Sequence, residues 1–105
     1  EGKTFGEVIE SIFPGGTITG APKIASMEVI ENLEPVRRGV YTGSAGIIGP
    51  EFAQFNIIIR SVIFEGENAY AQAGAGIVKD SNPKREWEES LQKMRAMGEA
   101  LGVLV

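Results

Sequence analysis

From Thr4 to Phe13 the apolar residues recur at helical spacing. Phe5, Val8, Ile9, Ile12 and Phe13 form one stripe, and Thr4 and Glu7 stand at the spacing of a capping box, which predicts a short helix over Phe5–Phe13. A second helical pattern runs from Gly20 to Glu34, with Ile24, Met27, Ile30 and Leu33 facing inward, Val29 beside them and Pro35 as the stop. Glu28, Glu31 and Glu34 read as its wet face rather than as a metal site. From Val40 the period drops to two. Val40–Ile48 is rich in β-formers and small residues, Gly49-Pro50 breaks it, and Gln54–Phe64 is the most strand-like run in the chain. Glu65-Gly66-Glu67-Asn68 predicts a turn, and a strand returns over Ala69–Val78. Asp80-Ser81-Asn82-Pro83 opens a last helix, with Asn82 as N-cap, Trp87, Leu91, Met94 and Leu101 as its buried stripe and Gly102 near its end.

The pattern predicts an α/β chain of the α+β kind: two N-terminal helices, a three-stranded antiparallel strand meander, and a C-terminal helix on the alanine-rich face of the last strand. The short connections through Gly49-Pro50 and Glu65-Gly66 favour antiparallel neighbours.

Composition narrows the function. At 105 residues with 43% apolar and 23% charged residues, the chain is one soluble-type domain at most. A net charge of −4 supplies no basic footprint for nucleic acid. The absence of cysteine excludes disulfides and thiolate chemistry, and the absence of histidine removes the commonest general base and the usual hydrolase triads. No apolar run approaches the length that crosses a bilayer, so membrane is not an expected partner and the cytoplasm is the expected compartment. The start at Glu1, almost directly inside a helix, suggests an excised or truncated piece.

Three features stand out as candidate chemistry. Phe13-Pro14-Gly15-Gly16-Thr17-Ile18-Thr19-Gly20-Ala21-Pro22-Lys23 joins the two helices with a density of glycine, hydroxyl and proline that suits a ligand loop as well as a connector. Its glycines can take positive φ, Thr19 can cap the following helix, and Pro22 fits that helix's first turn. Gly15 to Gly20 has P-loop glycine spacing, but Ala21-Pro22-Lys23 replaces the Gly-Lys-Ser/Thr that would follow, which argues against nucleotide. Arg60, between Ile58 and Val62 on one strand face, must reach the sheet edge or meet an anion, either an internal ion-pair partner or a ligand. On the last strand, Ala69, Ala71, Ala73, Ala75 and Ile77 share one face, and Gly74 and Gly76 leave the other bare, as where a ligand or a backbone approaches. Gly74-Ala75-Gly76 lacks the third glycine of a dinucleotide fingerprint. Glu86 and Glu89, three apart, either complement the helix dipole or share a face that can hold a hard divalent cation, with Lys93 one turn beyond.

Taken in order, the glycine loop, Arg37-Arg38-Gly39-Val40-Tyr41-Thr42-Gly43, Asn56-Ile57-Ile58-Ile59-Arg60, Gln72-Ala73-Gly74-Ala75-Gly76-Ile77-Val78 and Asp80-Ser81-Asn82-Pro83 resemble the C-terminal part of the chorismate-utilising enzymes. That family includes component I of anthranilate synthase, component I of para-aminobenzoate (aminodeoxychorismate) synthase, and the isochorismate and salicylate synthases. The Gly15-Gly16-Thr17-Ile18-Thr19-Gly20 form is more similar to the para-aminobenzoate branch, and Ala25-Ser26 stands where the family usually carries Arg-Ala.

The resemblance implies that residues 1–105 are the C-terminal part of a chorismate-binding domain, itself incomplete. It implies that Arg60 and Tyr41 hold the enolpyruvyl carboxylate of chorismate, with further contacts from Thr17 and from the backbone at Gly74 and Gly76. Glu86 and Glu89 would belong to a Mg2+ site for the ring carboxylate, with Lys93 beside it. The implied reaction is ring amination of chorismate, with ammonia from a separate glutamine amidotransferase subunit, in folate or, alternatively, tryptophan biosynthesis. A water-using isochorismate or salicylate synthase is the second enzyme reading, and a stand-alone anion-binding or assembly module the non-enzyme one. No catalytic residue falls within this chain by that correspondence, so the isolated chain is expected to be inactive and to self-associate through uncovered faces.

Overall fold

A computed structural model describes residues 2–105. The chain forms two compact units, one ending at Ile57 and one running Ile58–Val105. The first carries helices α1 (Phe5–Ile12), α2 (Gly16–Thr19) and α3 (Lys23–Leu33) and strands β1 (Ser44–Ile48) and β2 (Ala53–Ile57). The second carries β3 (Val62–Glu65), β4 (Asn68–Ala71) and α4 (Pro83–Leu101). Mixed helices with antiparallel strands are what the periodicity predicts.

The first helix begins on the predicted capping box. Thr4 Oγ1 accepts from the Glu7 amide at 3.3 Å, and a Glu7 carboxylate oxygen accepts from the Thr4 amide at 2.8 Å. The bond from the Thr4 amide foremost, with those from the Thr4 hydroxyl and Lys3, holds the Glu7 carboxyl below the usual glutamate range. The glycine loop departs from expectation. It contains a helical turn of its own, α2, in which the Thr19 hydroxyl donates back to the Gly15 carbonyl at 3.1 Å instead of capping α3. Pro22, expected inside the first turn of α3, is its N-cap residue. Of Gly15, Gly16 and Gly20, only Gly20 takes positive φ, at 122°. A Cβ there would stand 2.7 Å from Ser26 Oγ, so α2 and α3 meet where no larger residue fits.

The strands pair as two separate hairpins, not as one three-stranded meander. β1 and β2 run antiparallel with Ser44 opposite Ile57 and Ile48 opposite Ala53; β3 and β4 pair Val62 with Ala71 and Glu65 with Asn68. A two-residue turn with Gly66 at φ 60° closes the second. The long run Gln54–Phe64 is split because Arg60 adopts φ 51°, a left-handed conformation that a continuous strand does not admit. Arg60 therefore lies between β2 and β3, not on a strand face between Ile58 and Val62. The same break explains the short return strand: beyond Ala71 no extended partner continues the ladder, and residues 72–78 run outside any sheet.

Helix α4 starts as predicted, with Asn82 Oδ1 accepting from the amides of Lys84 and Arg85 at 3.1 and 3.2 Å and Pro83 at the first position. It ends on Gly102 at φ 71°. Its buried stripe is displaced from expectation. Met97, 5% exposed, is the buried apolar side chain among the described residues, whereas Trp87 is 64% exposed and Leu91, Met94 and Leu101 are half-buried. The tail decides this, since it folds back so that Val103 donates to the Gly98 carbonyl at 2.9 Å and Val105 covers Gly98. On α3 only Ile30 of the expected inward set is half-buried; Ile24 and Leu33 are 74% and 77% exposed, and the main packing partner of the helix is the short α2.

Candidate functional site

The candidate residues divide between the two units. Thr17 and Tyr41 belong to the first; Arg60, Gly74, Gly76, Glu86, Glu89 and Lys93 belong to the second.

In the first unit, Thr17 sits exposed on α2, and its hydroxyl has no hydrogen-bond partner among the described residues. Tyr41 is half-buried in the turn after α3. That turn is built by Arg38. Its Nε donates to both carboxylate oxygens of Glu34, at 3.1 and 2.9 Å, and Nη2 adds a further bond to Oε1. Nη1 donates to the Ile18 carbonyl at 3.4 Å and to Thr42 Oγ1 at 3.2 Å, and the guanidinium lies 5.6 Å from the centre of the Tyr41 ring. The hydrogen bonds that Arg38 donates to Glu34 raise its pKa, against a smaller opposing effect of burial. Thr42, at φ 64°, closes the turn by donating its hydroxyl to the Tyr41 carbonyl at 2.6 Å. Composition and period had put Glu34 on a wet face; the signal for its role was the four-residue spacing to Arg38 across the helix end.

In the second unit, Arg60 is exposed and makes no hydrogen bond or ion pair among the described residues. The bland expectation of an internal ion pair is therefore not what this unit provides. Lys93 joins two other candidates: Nζ contacts Glu89 Oε1 at 2.6 Å and donates to the Gly74 carbonyl at 3.0 Å. Around Gly76 a Cβ would meet nothing within 4 Å, so packing within the chain does not demand glycine there. Glu86 lines an open groove with Ala75, Ile77, Val78 and the Trp87 ring.

Glu86 and Glu89 supply hard oxygen donors, which suit Mg2+ and not a soft metal. Among the described residues no cluster of three or more metal-binding side chains exists. A pair of carboxylates still fits a cation that retains water and takes oxygens from its substrate.

The sequence profile of the chorismate binding enzymes matches residues 1–99, and this chain belongs to that family. Among curated proteins it is 55% identical over 96 residues to aminodeoxychorismate synthase component 1 of Bacillus subtilis (strain 168), covering 90% of this chain and 20% of that protein. It is 49% identical over 100 residues to an anthranilate synthase component I-like protein of Synechocystis, covering 94% of this chain and 21% of the relative. Against anthranilate synthase component 1 1 of Haloarcula marismortui the identity is 47% over 107 residues, covering 97% and 22%. The chain spans about a fifth of the length of the curated relatives it matches. No helix among the described residues is long and apolar enough to cross a membrane.

Proposed function

We propose that this chain is the C-terminal part of a chorismate-aminating synthase that forms 4-amino-4-deoxychorismate. The observation that carries the reading is the 55% identity to aminodeoxychorismate synthase component 1, extending over 90% of the chain. The geometry of the second unit supports it. Arg60 presents a planar, five-donor cation with no partner among the described residues, the group best suited to grip a carboxylate through two parallel hydrogen bonds. In the first unit Tyr41 and Thr17 offer hydroxyl donors for a carboxylate, and in the second the backbone at Gly74 and Gly76 presents no side chain to an approaching ring. Glu86 and Glu89 hold Mg2+, which when bound draws charge toward the ring carboxylate as a Lewis acid. Lys93, paired with Glu89 and donating to the Gly74 carbonyl, stands beside that site. A glutamine amidotransferase subunit supplies ammonia. The isolated chain carries part of the site, turns over no chorismate and self-associates through the bare stripes of α1 and α3.

Anthranilate synthesis is the second reading, favoured by the names of the Synechocystis and Haloarcula relatives. The test is made on the full-length protein. Calorimetric titration of chorismate is run with and without Mg2+, on wild type and Arg60→Ala, and the product formed with ammonia is separated by chromatography. Binding that requires Mg2+ and weakens at least ~10-fold in Arg60→Ala, with 4-amino-4-deoxychorismate as product, is the expected result. Anthranilate as product replaces the first reading with the second, and chorismate binding that is absent or indifferent to Arg60 overturns both.

A further inference from the structure

The glycine loop and the turn carrying Tyr41 are separate in sequence, yet one side chain holds both. Arg38 reaches the Ile18 carbonyl of α2, one residue beyond Thr17, and also Thr42 Oγ1, while its guanidinium lies against the Tyr41 ring. Its own orientation is fixed from the other side by the two-oxygen clamp of Glu34, at the C-terminal end of α3. The guanidinium is largely covered, with a side-chain exposure of 22%. A fork that uses Nε, Nη1 and Nη2 on different partners cannot be copied by a point-charge ammonium. The neighbouring Arg37 is a contrast. It is 88% exposed and among the described residues meets only Glu31, at 3.3 Å, on the surface.

We propose that Arg38 is a positioning residue: through Ile18, Thr42 and Tyr41 it sets the loop bearing Thr17 and the Tyr41 hydroxyl in fixed register for the substrate carboxylate. Glu34 is the second member of the device, holding Arg38 in the orientation that reaches both. The inference rests on the chorismate reading above and adds to it a residue that touches no substrate. Thr17 and Tyr41 act on the bound ground state, so loss of their register raises KM and leaves kcat nearly untouched.

The test is steady-state kinetics of the full-length enzyme with chorismate, Mg2+ and ammonia. Arg38→Lys is expected to raise KM about 10-fold, with kcat within about threefold of wild type. Glu34→Gln, which keeps size and one acceptor, raises KM in the same sense and serves where Arg38→Lys does not fold. Arg37→Lys leaves KM unchanged. The decisive comparison is made in a Tyr41→Phe background, which keeps the ring but removes the hydroxyl: the KM effect of Arg38→Lys, or of Glu34→Gln, shrinks there. A merely structural role lowers the amount of folded enzyme and moves apparent kcat alike in both backgrounds. Unchanged KM in folded Arg38→Lys or Glu34→Gln enzyme, or full additivity with Tyr41→Phe, overturns the inference while chorismate turnover by wild type stands. A wild type that does not use chorismate removes both this inference and the reading beneath it.

Discussion

Lys93 and Glu89, one turn apart on α4, are closed on each other at 2.6 Å. The same ammonium holds the Gly74 carbonyl at 3.0 Å, so a helix and the glycine-bearing segment are tied by one cation. The pair is half-exposed and of the four-residue helical type, worth only about 0.3–0.5 kcal/mol to stability. Its larger consequence is for the proposed metal. A cation arriving at Glu89 meets a carboxylate already neutralised by Lys93. Lys93→Met in the full-length protein is expected to tighten Mg2+ binding, read by calorimetry, while weakening chorismate binding. Mg2+ affinity that falls instead would show that Lys93 supports the carboxylates rather than competing for them.

The capping box of α1 depends on pH. Glu7 titrates lower in the folded chain than in the unfolded one, chiefly through the bond from the Thr4 amide. The unfolded form thus binds more protons through the acid range, and the contribution of Glu7 is complete above its unfolded pKa of about 4.3 and lost as pH falls through the lowered folded value. An NMR titration of the Glu7 side chain should give a midpoint below that of Glu7 in an unstructured peptide. Thr4→Ala removes the hydroxyl and keeps the amide, so it should raise the midpoint only part of the way to the peptide value while costing the helix about 1 kcal/mol.

Two glycines of the second unit should respond in opposite ways. At Gly98 an added methyl collides with the Val105 side chain and comes within 3.0 Å of the Val103 carbonyl oxygen. Gly98→Ala should therefore displace the tail and destabilise the protein by about 1–3 kcal/mol in denaturant titration. At Gly76 the space is open, so Gly76→Ala should leave the unfolding midpoint within about 0.5 kcal/mol of wild type. On the proposed function it nonetheless weakens chorismate binding, because the methyl enters the space the substrate approaches. Equal chorismate affinity in Gly76→Ala would remove that glycine from the site.

Local signals were legible where the deciding atoms are close in sequence. The Thr4–Glu7 box, the Asn82-Pro83 start, the Gly102 stop and the Gly66 turn all appear where the pattern puts them. The errors share one physical origin. Alternation over Gln54–Phe64 counts side chains and is blind to a backbone that inverts at Arg60. Helical stripes on α3 and α4 show which face is apolar, not whether anything covers it, and so Ile24, Leu33 and Trp87 were expected inside. The seating of Met97 and Gly98 depends on a tail that follows the helix and carries no periodicity of its own. The Glu34–Arg38–Ile18 connection spans 20 residues between Ile18 and Arg38, a separation at which residue types alone name no partner.

The exposure of Ile24, Leu33, Ile77 and Val78 also has a calorimetric meaning. Heat-capacity change on unfolding measures apolar surface newly wetted, and in this chain much of that surface is already wet. A well-packed domain of about 100 residues shows roughly 1.2–1.5 kcal/mol/K. This chain melted by itself should fall well short of that figure and lose its structure over a broad span of temperature, whereas the same residues inside a protein that covers them would melt sharply.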